Sequence, residues 1–169
     1  MILGIALKNA DVHTRLSTYL NDHLGGSAGG IELARRLCSN NKGNQYGPKL
    51  ELIAQQIEED IRSLRDVMAR LDVEADRIKQ AGAWAAEKVG RLKLNGQLMG
   101  YSPLSRLVEL EGLTLGVTGK LSLWILMNEN YGEDPRLAGI DFADLIARAR
   151  EQRRSLEAMR RAAATEALK

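Results

Sequence analysis

Residues 48–71 read PKLELIAQQIEEDIRSLRDVMARL. Leu50, Ala54, Ile57, Ile61, Leu64, Met68 and Leu71 recur there at alternating steps of four and three without a miss. That period keeps one apolar seam on one side of an α-helix, the pattern of a helix packed against other helices. Pro48 is a favourable first helical residue because its missing N–H would have no partner there in any case. Glu58, Glu59, Asp60, Arg62, Arg65 and Asp66 lie off the seam.

Working outward, the pattern repeats. Upstream, a helix is predicted over 11–38, with Asn9 or Asp11 able to cap its first turn and Leu16, Leu20, Leu24, Ile31, Ala34 and Cys38 as its seam. The segment between, Ser39 to Gly47, holds three Asn and two Gly and reads as a loop. Downstream, 76–94 forms a shorter helix with a thin stripe of Ile78, Ala81, Ala85, Val89 and Leu92, interrupted by glycines. Ser102-Pro103 restarts the chain as N-cap and first helical residue of a helix over 103–130, with Leu107, Leu110, Val117, Leu121 and Trp124 on its apolar face. Tyr131 to Ile140 is a loop. Asp141 caps a last helix over 141–167, which presents Phe142, Leu145, Ala149, Leu156, Met159, Ala163 and Ala167 and carries six arginines on its other side.

Composition agrees with an all-α chain in one domain, 1–169. Aromatic residues are only 4% of the sequence and Phe142 is the single Phe, whereas strands favour aromatic and β-branched residues. Net charge is +2, and only 76–100 is locally basic, with five cationic and two anionic residues. Trp84 with Lys79, Lys88, Arg91 and Lys93 could touch a membrane or RNA, but the charge is modest and the plain reading is a solvated helix, so neither nucleic acid nor membrane is expected as a partner. Cys38 is the only cysteine, so no intramolecular disulfide forms, and a lone thiol fits a reducing compartment. Met1 to Leu7 lacks the features of a signal peptide, and no apolar run approaches the ~20 residues of a membrane span, which together read as cytoplasmic.

The four longer helices are of similar length, and the odd segment 72–102 lies between two matched pairs. Two antiparallel hairpins joined by one long crossover are the plan of ferritin-like bundles. The alternative is a five-helix up-and-down bundle. Over residues 11–168 the helix order and pattern resemble the ferritin-like superfamily. Segments such as Glu87-Lys88-Val89-Gly90-Arg91-Leu92-Lys93 and Glu109-Leu110-Glu111-Gly112-Leu113-Thr114-Leu115-Gly116 look like pieces of uncharacterised bacterial proteins of that shape. The resemblance implies a four-helix bundle with an additional crossover helix. It also raises the question of di-iron chemistry, which uses one Glu from each of two helices and a Glu-x-x-His pair from each of the other two. His13 and His23 are the only histidines, and no Glu-x-x-His occurs: three residues after Glu58, Glu59, Glu109 and Glu111 stand Ile61, Arg62, Gly112 and Thr114. The standard site cannot be built, and no cofactor is expected.

Three weaker constellations remain. Counting from the helix ends puts Glu32, Glu58 and Glu111 near one level, with Arg160 close by. Converging carboxylates would need a cation or an arginine, so this level reads either as a degenerate metal or small-ligand site or as a salt-bridge layer. His23, Ser27 and Gln152 form a second polar group at or near seam positions, either a polar pocket or ordinary hydrogen-bonded core residues. Finally, Gly25, Gly26, Gly29 and Gly30 fall within one helix and Gly112, Gly116 and Gly119 within another. Each mid-helix glycine costs roughly 0.5–1 kcal/mol relative to alanine, which close backbone approach at Gly26, Gly30, Gly112 and Gly116 would offset, within the chain or between protomers; the alternative is a hollow that admits a ligand. The expectation is a non-catalytic bundle acting through self-association, most simply a homodimer, by the apolar and glycine-bearing faces of these two helices.

Overall fold

The computed structural model describes residues 2–76 and 100–169. Among them are four α-helices, one short 3-10 turn and no strand. The helices are α1 (Ile2–Asn40), α2 (Gly47–Arg70), α3 (Pro103–Tyr131) and α4 (Phe142–Leu168). The helix expected over 76–94, with the Trp84 group and the segment Glu87–Lys93, lies outside the described residues.

The helix ends follow local chemistry. Ser102 caps α3 by accepting the Ser105 N–H at 3.0 Å, and Asp141 caps α4 by accepting the Asp144 N–H at 2.9 Å. The loop after α3 contains the turn Pro135–Leu137, held by the Asp134 carboxylate on the Arg136 N–H. Gly139 closes that loop at φ +88°, a conformation that L side chains rarely adopt. One boundary is corrected. α1 starts at Ile2, nine residues before the expected start, so Asn9 and Asp11 lie inside the helix and cap nothing. Residues 2–10 contain no proline, and extending a helix already formed costs little.

The expected seams are the core. Leu50, Ala54, Ile57, Leu64, Met68 and Leu71 are buried, with Ile61 partly so, and α3 and α4 bury the residues assigned to them except Ala167, which is partly buried. One apolar cluster gathers Leu37, Leu50, Ile57, Leu110, Leu113 and Leu156, and the other gathers Leu20, Leu24, Met68, Trp124, Met127 and Phe142. Ile61 packs against both. The apolar face of α2 is wider than its seam, because Ile53 and Val67 are buried too. Asp60, midway between them and off the seam, is 2% exposed.

Contacts give the relative directions. α1 and α2 form one antiparallel hairpin and α3 and α4 another. α1 packs on α3 antiparallel: Leu33 meets Gly112, Arg36 meets Glu109, and Asn41 meets Arg106. α2 and α3 therefore start at the same end, and the chain leaves α2 at the end opposite to that where it enters α3. At the exit Asp72 takes φ +56°, and Asn21 of α1 then holds the chain, donating to the Glu74 carbonyl at 3.0 Å and accepting the Asp76 N–H at 2.7 Å.

Candidate functional site

The carboxylate level expected from counting does not converge. Glu32 and Glu58 are both held by Arg35 of α1, at 3.2 and 2.9 Å, with the Glu32 side chain 73% exposed. Glu111 is held by Arg160 at 3.3 Å, as the charge argument anticipated, and Arg160 also binds Glu157 at 2.8 Å. Arg160 and Arg161 pull the Glu157 carboxyl down to about 2. These are two separate surface ion-pair sets. Among the described residues no group of three or more His, Cys, Asp or Glu side chains is placed to hold a metal ion. The physical reason is angular: Glu32 and Glu58 flank the α1–α2 contact, whereas Glu111 turns toward α4.

The second polar group also separates. His23 is half-buried edge-on against Tyr19, with ring centroids 4.7 Å apart, and burial lowers its pKa against the opposing pull of Asp22. Ser27 donates to the Leu24 carbonyl of its own helix at 2.7 Å. Gln152 belongs elsewhere, in a buried cluster that the sequence reading missed. There the Asp60 carboxylate accepts from Lys120 of α3 and from Arg148 of α4, the latter at 2.7 Å. Gln152 accepts from the Lys120 ammonium and donates to Gln56 at 3.1 Å. Burial lowers the Lys120 pKa, opposed by Asp60. The cluster is satisfied from within by groups of α2, α3 and α4. Its signals in the sequence were faint: an acidic residue with Ile53 and Val67 seven positions to either side, and a lysine alone in an uncharged stretch.

A second network ties all four helices at the end where α2 and α3 begin. Arg106 donates to Asn41 at 2.6 Å and to Glu166, and its guanidinium lies 4.8 Å from the Tyr46 ring centroid. Tyr46 donates to Glu166 at 2.7 Å. The Tyr101 hydroxyl donates to Glu109 at 3.0 Å, and Arg36 lies 2.7 Å from the same carboxylate. Burial raises the Glu109 pKa, offset in part by Arg36, and burial likewise raises that of Tyr101. The buried Nη2 of Arg36 has no hydrogen-bond partner among the described residues.

The outward side of α3 differs from these sites because nothing polar claims it. From Gly112 to Asn128 the only charged residue is Lys120, and it turns inward to Asp60. Leu104, Leu115 and Leu126 stand outside, 37%, 74% and 37% exposed. They recur every eleven residues, about three helical turns, and so share one face. By length and composition alone, α3 is long and apolar enough to cross a membrane, a test that the core helix of a soluble protein also passes. Beside this face lie the glycines. Gly112 packs closely, since a Cβ there would meet Leu33 Cδ2 at 3.3 Å. Among the described residues, a Cβ at Gly26, Gly30, Gly116 or Gly119 would meet nothing within 4 Å.

Three outcomes follow from these geometries. Asp60→Ala should cost about 3–5 kcal/mol in urea unfolding, because it leaves the mostly buried Lys120 ammonium without its counter-ion, and adding Lys120→Met should recover part of that loss. Tyr101 holds its proton to higher pH in the folded chain than in the unfolded one, so its contribution is present below pH 10 and is lost as pH rises from there toward its raised pKa. Stability measured from pH 9 to 11 should accordingly fall less steeply in Tyr101→Phe than in the parent. Gly119→Ala should raise the stability of the single chain by about 0.5–1 kcal/mol in dilute thermal melts; Gly112→Ala, crowding Leu33, should gain less.

Compared with known proteins, the chain matches no family model, no curated protein and no solved structure.

Proposed function

We propose that the four helices form a ferritin-like four-helix bundle, with the segment between α2 and α3 as its crossover, and that this bundle acts without catalysis, in the cytoplasm, by self-association through the outward face of α3. The crossover plan is supported by the helix directions: α1 and α4 run one way, α2 and α3 the other. The associative reading is carried by one observation: the exposed Leu115 and Leu126 of α3 stand on the stretch, Gly112 to Asn128, whose single charge is spent inside the protein. Exposed apolar side chains rimmed by polar residues mark contact surfaces, and Leu115 stands among Glu111, Thr118 and Ser122. The titratable groups of the interior favour a structural over a catalytic role, because Asp60, Lys120 and Arg148 satisfy one another and Glu109 is engaged by Arg36 and Tyr101.

Sedimentation velocity across a concentration series tests the reading. The parent should pass from monomer to dimer as concentration rises. Leu115→Glu should weaken the dimer at least tenfold, about 1.4 kcal/mol, while leaving the melting temperature of the single chain nearly unchanged, since position 115 is mostly exposed. A parent that stays monomeric at the highest concentration would sink the proposal.

A further inference from the structure

We infer that the cleft between α3 and α4, walled by Arg153, Arg154 and Arg161, binds a compact organic polyphosphate of the nucleoside triphosphate class. The site does not depend on self-association and goes beyond it.

Helical spacing puts the arginines there. Arg150, Arg153, Arg154, Glu157, Ala158 and Arg161 follow steps of three and one, which keeps them on one face of α4. The seam of Leu145, Ala149, Leu156 and Ala163 is buried on the opposite face. Where the arginine face meets Thr114 of α3, the two helices leave a cleft of about 530 Å³. Its lining of Thr114, Arg153, Arg154, Glu157, Ala158 and Arg161 sets three cations against one anion. The volume is that of a small-molecule site, roughly 300–1,000 Å³, and more than a lone phosphate fills.

The guanidiniums have donors to spare. Among the described residues the exposed Arg153 makes no ion pair and no hydrogen bond, so its whole fork is free. Arg161 engages Glu157 through Nε alone, at 2.8 Å, which leaves both of its terminal amino groups. Arg154 holds Glu151 through Nε and Nη2, which leaves Nη1. The carboxylate that lines the cleft is already answered. Glu157 accepts from Arg160 at 2.8 Å on one oxygen and from Arg161 on the other, and these two arginines hold its carboxyl at about 2. The Thr114 hydroxyl donates to the Leu110 carbonyl at 2.7 Å, so the donors offered to a ligand are those of the arginines.

The donors select the class of ligand. Guanidinium forks take phosphate oxygens in pairs and stack on flat rings, so the same side chains provide for a row of phosphates and for a base. Arg153 and Arg161 are eight residues apart, about 12 Å of helix rise, a reach that suits two or three phosphates rather than one. A nucleic-acid backbone fits less well. It would run on past Glu151 and over a protein whose net charge is only +2, whereas a short polyphosphate ends within the cleft.

Binding of a fluorescent N-methylanthraniloyl adenosine triphosphate, read by anisotropy at low salt without divalent cations, tests the assignment. It should saturate, be displaced by inorganic triphosphate and weaken as salt rises. Arg153→Ala should weaken it by about tenfold, the loss of one bidentate contact. Arg65→Ala, at an exposed arginine of α2, should leave it unchanged. Glu157→Gln should tighten it several-fold by removing the negative charge from the cleft. A melting curve checks that each variant folds. No binding at millimolar nucleotide would overturn the proposal. So would equal losses from Arg153→Ala and Arg65→Ala, which would show charge attraction without a site, or weaker binding by Glu157→Gln. A single-stranded oligonucleotide that displaces the probe at a lower total phosphate concentration, through Arg153, would overturn the compact ligand and make nucleic acid the occupant.

Discussion

A carboxylate buried to the extent of Asp60 is tolerable only with its charge answered, and much of this structure follows from how it is answered. Lys120 comes from α3 and Arg148 from α4, so a single anion on α2 sets three helices in register. Gln152 and Gln56 complete the hydrogen bonding around them. The ion pair has an exterior consequence as well. Lys120 is the only charge in the central part of α3, and once it points inward the outside of that helix is left with leucine, glycine, serine and threonine. The polarity of the core and the apolarity of the surface are two sides of one placement.

The ends of the four helices are handled by a different device. Arg106 is planar and multiply donating, and it gathers Asn41, Glu166 and the Tyr46 ring into one node. The residue that follows α1, the α2 N-cap, α3 and α4 meet there, so the node joins both hairpins. At the other end Asn21 uses its amide as donor and acceptor to hold the chain leaving α2 against α1. Between the two, the α1–α3 contact is the least filled. It closes at Leu33 and Gly112, while four other glycines face open space.

Much of the architecture was legible in the residues. The unbroken four-three spacing of residues 50–71, the Ser102-Pro103 start and the Asp141 cap each act within a turn or two of helix, and local chemistry of that kind can be read along a chain. The start of α1 was misjudged because capping residues such as Asn9 and Asp11 announce a helix start only when the chain before them is not already helical. The candidate site was less legible. Arg160 and Glu111 met as expected, but Glu32 and Glu58 were drawn to Arg35, and Gln152 left His23 and Ser27 for Asp60.

The sequence alone thus determined that the chain is helical, where most of its helices begin and end, which seams are apolar and that the di-iron motif is missing, because these depend on residue type and on spacing within a single helix. The tertiary structure alone decided that Asp60 and Lys120 are buried together, that Arg106 joins four helices, and that Leu104, Leu115 and Leu126 remain outside. Long charged side chains find partners across helices, and the choice depends on which helix stands opposite and at what rotation. That information is spread over the whole fold and is written in no one segment.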